Sequence, residues 1–151
     1  MFALDNTDRK LLRELLTNSK RSYRELARAI GVSAATVINH VQRLESGGVI
    51  KDYSVSLDHE RLGYELTVIT EIIVSKGKLL ETDEEIAKIP NVCAVYDITG
   101  ETDAMVVAKF KSRSNLSDFT KKLLAMPYVE RTNTHVALTT VKEDFRMMND
   151  M

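Results

Sequence analysis

Residues 22–50 read SYRELARAIGVSAATVINHVQRLESGGVI, and the punctuation inside this stretch decides the architecture of the front of the chain. Ser22 followed three residues later by Glu25 is a capping-box pattern, in which hydroxyl and carboxylate each satisfy a free backbone N–H at a helix start. Leu26, Ala27 and Ile30 then supply the apolar face of a short helix. Gly31 ends that helix cheaply, because glycine enters the left-handed conformation without a Cβ penalty, and Ser33 caps the next helix two residues on. Two helices joined through Gly31-Val32-Ser33 make a helix-turn-helix. On the second of the pair, Val37, Val41 and Leu44 form one stripe with Ala34 alongside, whereas Ala35, Asn39 and Gln42 project from the opposite side. Thr36 and Arg43 occupy one shoulder of that polar side and Ile38 the other, with no carboxylate among them.

Upstream, Leu4, Leu11, Leu12, Leu15 and Leu16 recur at helical spacing behind Asp5 or Asn6, which predicts a first helix to about Leu16. Downstream, Gly47 and Gly48 stop the third helix, and Val49, Ile50, Tyr53, Val55 and Leu57 lead away in an extended register as a hinge strand. From about Leu66 the pattern changes to strands at 66–74, 92–99, 104–111 and 129–141, with helices at 79–89 and 114–125. Ile89-Pro90-Asn91-Val92 and Met126-Pro127-Tyr128-Val129 echo each other 37 positions apart, one after each predicted helix. Two short βαβ units joined by a hairpin make a ferredoxin-like βαββαβ sheet. The expected fold is therefore α+β: a winged-helix-like helix-turn-helix domain over 1–50, a hinge strand over 51–63, and a βαββαβ domain over 64–151.

Right-handed crossovers place both helices on one face of such a sheet. The other face does not read as wet: Ile69 and Ile73 oppose Val68, Ile72 and Val74 on the first strand, and Met105 and Val107 oppose Val106, Ala108 and Phe110 on the third. An antiparallel sheet open to water alternates more cleanly, so a second copy of the chain is expected against this face, in a twofold dimer.

Composition narrows the function classes. The chain has 151 residues, 44% of them hydrophobic and 28% charged, with a formal net charge of -1. Its single cysteine, Cys93, excludes an internal disulfide or a thiolate metal cluster and reads as a small core residue within a strand. No run of about 18 apolar residues is present to span a bilayer, and the opening MFALDNTDRK lacks the apolar stretch of a signal peptide, so a cytoplasmic protein without membrane contact is expected. The charge is unevenly distributed: between Arg9 and Lys51 nine basic residues face three acidic ones, and the remainder is acidic. Two modules with different partners fit this asymmetry.

In a helix-turn-helix the second helix enters the major groove of double-stranded DNA. Here its N-terminal and outward residues are Ser33, Ala35, Thr36 and Asn39, followed by His40, Gln42 and Arg43. Asparagine pairs bidentately with adenine, threonine bonds donor or acceptor, alanine and Ile38 touch a thymine methyl, and Gln42 and Arg43 reach guanine or phosphate. Ser22, Tyr23, Arg24 and Lys51 are candidate phosphate contacts that fix register without reading sequence. Thr99-Gly100-Glu101-Thr102-Asp103 joins two strands and reads by itself as a hairpin turn.

Gly31-Val32-Ser33, Val41-Gln42-Arg43-Leu44-Glu45, Gly48-Val49-Ile50, Leu57-Asp58, Leu62-Gly63 and the TGETDAMVV segment occur in an order and spacing that resemble the Lrp/AsnC, or feast/famine, regulators over nearly the whole chain. The resemblance implies a DNA-binding transcription regulator whose C-terminal domain dimerises, assembles further into tetramers or octamers, and binds a small effector, usually an amino acid. It also implies an effector pocket formed by Gly100, Glu101, Thr102 and Asp103 with Thr134, His135 and Val136, the Asp103 carboxylate suiting an ammonium group. His40 departs from the family's usual arginine, His59 from a proline, and Thr102 from an aromatic residue.

No catalytic or metal pattern competes with this reading. His40, His59 and His135 are scattered without metal-ligand spacing, and Gly47-Gly48 lacks the lysine of a phosphate-binding loop. No cofactor is expected. The alternatives are an ACT-like metabolite sensor without direct DNA binding and a small-molecule enzyme on a ferredoxin-like scaffold.

Overall fold

The computed structural model describes residues 2–147. They fall into two compact units, one built on the residues up to Ser56, with which the stretch from Glu143 is grouped, and one spanning Leu57–Lys142.

The first unit contains α1 (Asn6–Thr17), α2 (Tyr23–Ile30) and α3 (Ala34–Ser46). Each start is fixed by a side chain: Asp5 caps α1 in a capping box with Asp8, Ser22 caps α2 in one with Glu25, and Ser33 caps α3 by accepting from the Thr36 N–H. Gly31 closes α2 at φ 76°, and Gly48 takes φ 70° after α3, where the Val49 N–H returns to the Leu44 carbonyl at 2.9 Å. Leu11, Leu12, Leu26, Ala27, Val37, Val41 and Leu44 form the buried core of this unit. Each of the leucines contributes roughly 1.5–3 kcal/mol by leaving water.

The second unit runs β1 (Leu66–Val74), α4 (Leu79–Ala87), β2 (Val92–Asp97), β3 (Ala104–Phe110), α5 (Arg113–Leu124) and β4 (Val129–Val136). Its strands lie in the order β2-β3-β1-β4, every pair antiparallel. Val68, Ile72 and Val74 of β1, with Ala104, Val106, Ala108 and Phe110 of β3, pack against Ile86, Ile89, Phe119 and Leu123 on the helical side. The register puts Ile69, Glu71, Ile73, Met105, Val107, Ala94 and Tyr96 on the opposite face, joined along the β4 edge by Arg131, Asn133 and His135. No helix of this unit covers that face. Its middle is apolar and its β4 edge polar.

Several sequence expectations are corrected at their ends. The helix expected to reach residue 89 stops at Ala87, where the bonds to Lys88 and Ile89 tighten to three-residue spacing before Pro90. The strand expected over 92–99 ends at Asp97, and the Ile98 N–H then bonds to the Asp103 carbonyl across the hairpin. The last strand ends at Val136 rather than 141: β1 begins at Leu66, and the bond from the Ala137 N–H to the Thr67 carbonyl, 2.9 Å, finishes the ladder. No hinge strand forms over 51–63, since an extended segment needs a neighbour to pair with. Instead Tyr53 donates its hydroxyl to Glu45 at 3.0 Å, and burial together with that carboxylate pushes the phenol up to about 12. Cys93 is exposed rather than in the core, because the β2–β3 register shifts between Val92 and Ala94 and turns it outward. Of the domain expected over 64–151, residues 148–151 lie outside the described residues.

Candidate functional site

The buried stripe of α3 seats it against its neighbours and thereby fixes what faces outward. Ala35, Ile38, Asn39 and Gln42 are exposed. Thr36 is half-buried, its hydroxyl 2.8 Å from that of Ser33. The hydroxyls of Ser33 and Ser22 serve as caps, the latter also bonded to Glu25 at 2.7 Å, while Tyr23, Arg24 and Lys51 stand exposed.

His40, half-buried, and Arg43, exposed, are both engaged with α1. Asp8, with no solvent exposure, is held by both: His40 Nδ1 lies 2.7 Å from its Oδ1, and the Arg43 guanidinium bonds to its Oδ2. Arg43 also reaches Asp5 at 3.4 Å and stacks over the Phe2 ring, 5.3 Å from its centroid. Burial works to raise the Asp8 pKa, yet the bonds from His40, the Asp5 N–H and Arg43 outweigh it and hold the carboxyl at about 2. Asp5, Asp8 and His40 bring three ligand-type atoms within 4.8 Å of one another. The guanidinium already bonds to both carboxylates and the two backbone N–H groups of the capping box use them as well, so the cluster is an internally hydrogen-bonded clamp between α1 and α3. Sequence reasoning treated Asp5 only as a cap and missed Asp8. Its signal was a carboxylate placed four residues after Leu4 and three before Leu11, on the apolar stripe of α1.

In the second unit a cavity of about 180 Å³ lies on the open sheet face beside the β2–β3 hairpin, lined by Glu71, Ile73, Glu101, Thr102, Arg131 and Asn133. Two of the expected loop residues, Glu101 and Thr102, line it. Glu71 accepts from Asn133 Nδ2 at 3.2 Å and lies 3.7 Å from His135 Nε2. Gly100 sits at φ 135° in the turn. Asp103 is committed to the sheet: its carboxylate accepts from the Val74 N–H at 2.8 Å, and its own N–H donates to the Ile72 carbonyl. Thr134 bonds to Thr70 at 3.0 Å and, like Val136, alternates to the helical side, so the three β4 candidates divide between two faces. Glu71, Arg131 and Asn133 were missed because strand pairing brings them to the hairpin across some sixty residues of sequence. Behind the hairpin, Asp83 Oδ1 is buried without a hydrogen-bond partner among the described residues. Burial, then the charges of Asp97 and Asp103, raise the Asp83 pKa.

A capped helix-turn-helix joined to a ferredoxin-like unit bearing a polar cavity defines a DNA-binding transcription regulator with a ligand-binding domain. Residues 4–51 match the winged helix-turn-helix DNA-binding family and residues 67–147 the Lrp/AsnC ligand binding domain. The chain belongs to the Lrp/AsnC family. It is 46% identical over 144 residues to an uncharacterized HTH-type transcriptional regulator of Pyrococcus furiosus, covering 95% of this chain and 97% of that one. It is also 32% identical over 140 residues to HTH-type transcriptional regulator FL11 of Pyrococcus horikoshii, covering 93% of each. Among solved structures it resembles LrpC of B. subtilis, at 31% identity and TM-score 0.82 over 95% of this chain and 100% of that one. It also resembles a transcriptional regulator from Neisseria meningitidis in complex with L-Met, at 26% identity and TM-score 0.87 over 96% of each. The relatives are transcription regulators, which are not enzymes. Among the described residues no helix is long and apolar enough to cross a membrane.

Proposed function

We propose that this regulator reads DNA with the outward side of α3, Ala35, Asn39 and Gln42 meeting base edges with Thr36 and Ile38 at the margins. The observation that carries the reading is an exposed helix side with no carboxylate before Glu45, set on a helix seated by its own apolar stripe. Asn39 is suited to adenine, and Tyr23, Arg24 and Lys51 to phosphates. Ser22 and Ser33 act through their capped helix N-termini, whose backbone N–H groups attract phosphate. His40 and Arg43 set the angle of α3 instead of reading bases.

A second copy covers the apolar middle of the open sheet face, and dimers assemble further; two recognition helices then address half-sites one helical turn or a multiple apart. The effector is an amino acid bound at the hairpin cavity, a reading supported by the mixed charge of the lining and by the likeness to a regulator solved with L-Met. Asp103 supports that cavity by pinning the hairpin to β1, and Gly100 by allowing the turn. The protein works in the cytoplasm.

Binding to an operator fragment at graded salt tests the DNA reading. Log K is expected to fall in proportion to log salt, Asn39→Ala to cost about 1–3 kcal/mol at its own base pair, and Lys51→Ala to weaken all sequences alike. Salt-independent or absent DNA binding would instead favour a metabolite sensor.

A further inference from the structure

Resting on the effector reading above, we propose that the hairpin cavity selects an α-amino acid whose side chain itself carries a positive charge, of the lysine or arginine class. The lining holds two carboxylates, Glu71 and Glu101, and one guanidinium, Arg131. Arg131 is exposed and forms no hydrogen bond or ion pair among the described residues, although both carboxylates share the cavity with it. The gap between the charges is therefore one that a ligand spans, not one that the chain closes on itself.

Each charge has a counterpart in such a molecule. The α-carboxylate takes the planar donor fork of Arg131. Thr102 offers a hydroxyl beside it. Glu71, whose Oε2 is steadied by Asn133, and Glu101, which has no partner within the chain among the described residues, receive the two cationic groups, while Ile73 packs on the aliphatic stem. An amino acid with a neutral side chain leaves one carboxylate without a cationic partner. An acidic one places a third negative charge in the cavity. A diamine lacking the carboxylate leaves the guanidinium beside a cation. Selectivity then comes as much from rejecting the wrong charge as from attracting the right one.

Calorimetric titration of the full-length protein with L-lysine, L-arginine, L-norleucine, L-methionine, L-glutamate and cadaverine tests this. L-Lysine or L-arginine is expected to bind at least about tenfold tighter than norleucine, which has the chain length of lysine without its amine, the advantage of about one charge-assisted hydrogen bond. Glu101→Gln, on an exposed loop, is expected to erase that preference with the unfolding temperature unchanged, Glu71→Gln to do the same, and Arg131→Gln to weaken every α-amino acid. Norleucine or methionine binding as tightly as lysine overturns the charge selectivity and leaves the amino-acid effector standing; glutamate or cadaverine binding tightest overturns the inference as well. Lysine binding unaltered by Arg131→Gln and Glu101→Gln moves the site elsewhere. No binding by any compound removes both the inference and the effector reading of this cavity.

Discussion

Asp8 has no access to water, yet its surroundings keep it ionised: His40, Arg43 and the Asp5 N–H supply donors that solvent would otherwise provide. Its native pKa, about 2, lies below the ordinary 3.8. An acid held below its unfolded value binds fewer protons when folded, so it stabilises the fold above the ordinary value and loses that contribution as pH falls towards 2. Denaturant unfolding between pH 6 and pH 2 is expected to show this loss, and Asp8→Ala to flatten it. At neutral pH that substitution is expected to cost about 2 kcal/mol, less than a fully buried pair because His40 and Arg43 can partly rehydrate. Asp83 behaves oppositely. Its raised pKa means that the folded state favours the protonated form, so its stabilisation is full below the ordinary carboxylate range and is lost as pH climbs through the raised value. Asp83→Asn, which removes the charge and adds a donor near Asp97 and Asp103, is expected to raise stability at neutral pH by about 0.5–1 kcal/mol after solvent screening. A thermal melt measures it.

At the scale of elements, the turn between α2 and α3 rests on one backbone conformation. A Cβ at Gly31 meets no atom within 4 Å, so Gly31→Ala tests the left-handed φ of 76° alone. A loss of about 1 kcal/mol is expected in chemical unfolding, with α-helical content retained. This turn and the three helix starts were legible in the sequence because capping chemistry is local: Ser22 and Glu25, or Ser33 and Thr36, lie three residues apart. The two faces of the sheet were legible as well, since alternation at period two survives in β1 and β3. Three features were hidden for the opposite reason. The clamp joins Asp8 to His40 and Arg43, more than thirty residues later. The cavity depends on which β4 residue stands beside Glu71. Cys93 is turned out by a bulge that no local pattern announces.

At the scale of the molecule, the dimer proposed above rests on the open sheet face. Ile69, Met105 and Val107 lie side by side on it, and a lysine there would be stranded between two sheets in that dimer. Val107→Lys is expected to give a monomer in sedimentation velocity, with operator affinity reduced by at least about tenfold as two recognition helices lose their linkage. A dimer persisting in that variant would place the interface elsewhere.

The engagement of His40 and Arg43 with Asp8 also bears on how many genes one such regulator can serve. On the DNA reading proposed above, with both tied to α1, the vocabulary for interrogating bases is an alanine methyl, two carboxamides and their small neighbours, each able to penalise a mismatch by about 1–3 kcal/mol. Discrimination so thin at the letters shifts weight to the flexibility of the duplex, because bending a stiff sequence costs energy even where no side chain touches it. The promoters it serves would then share bendability and spacing more than spelling.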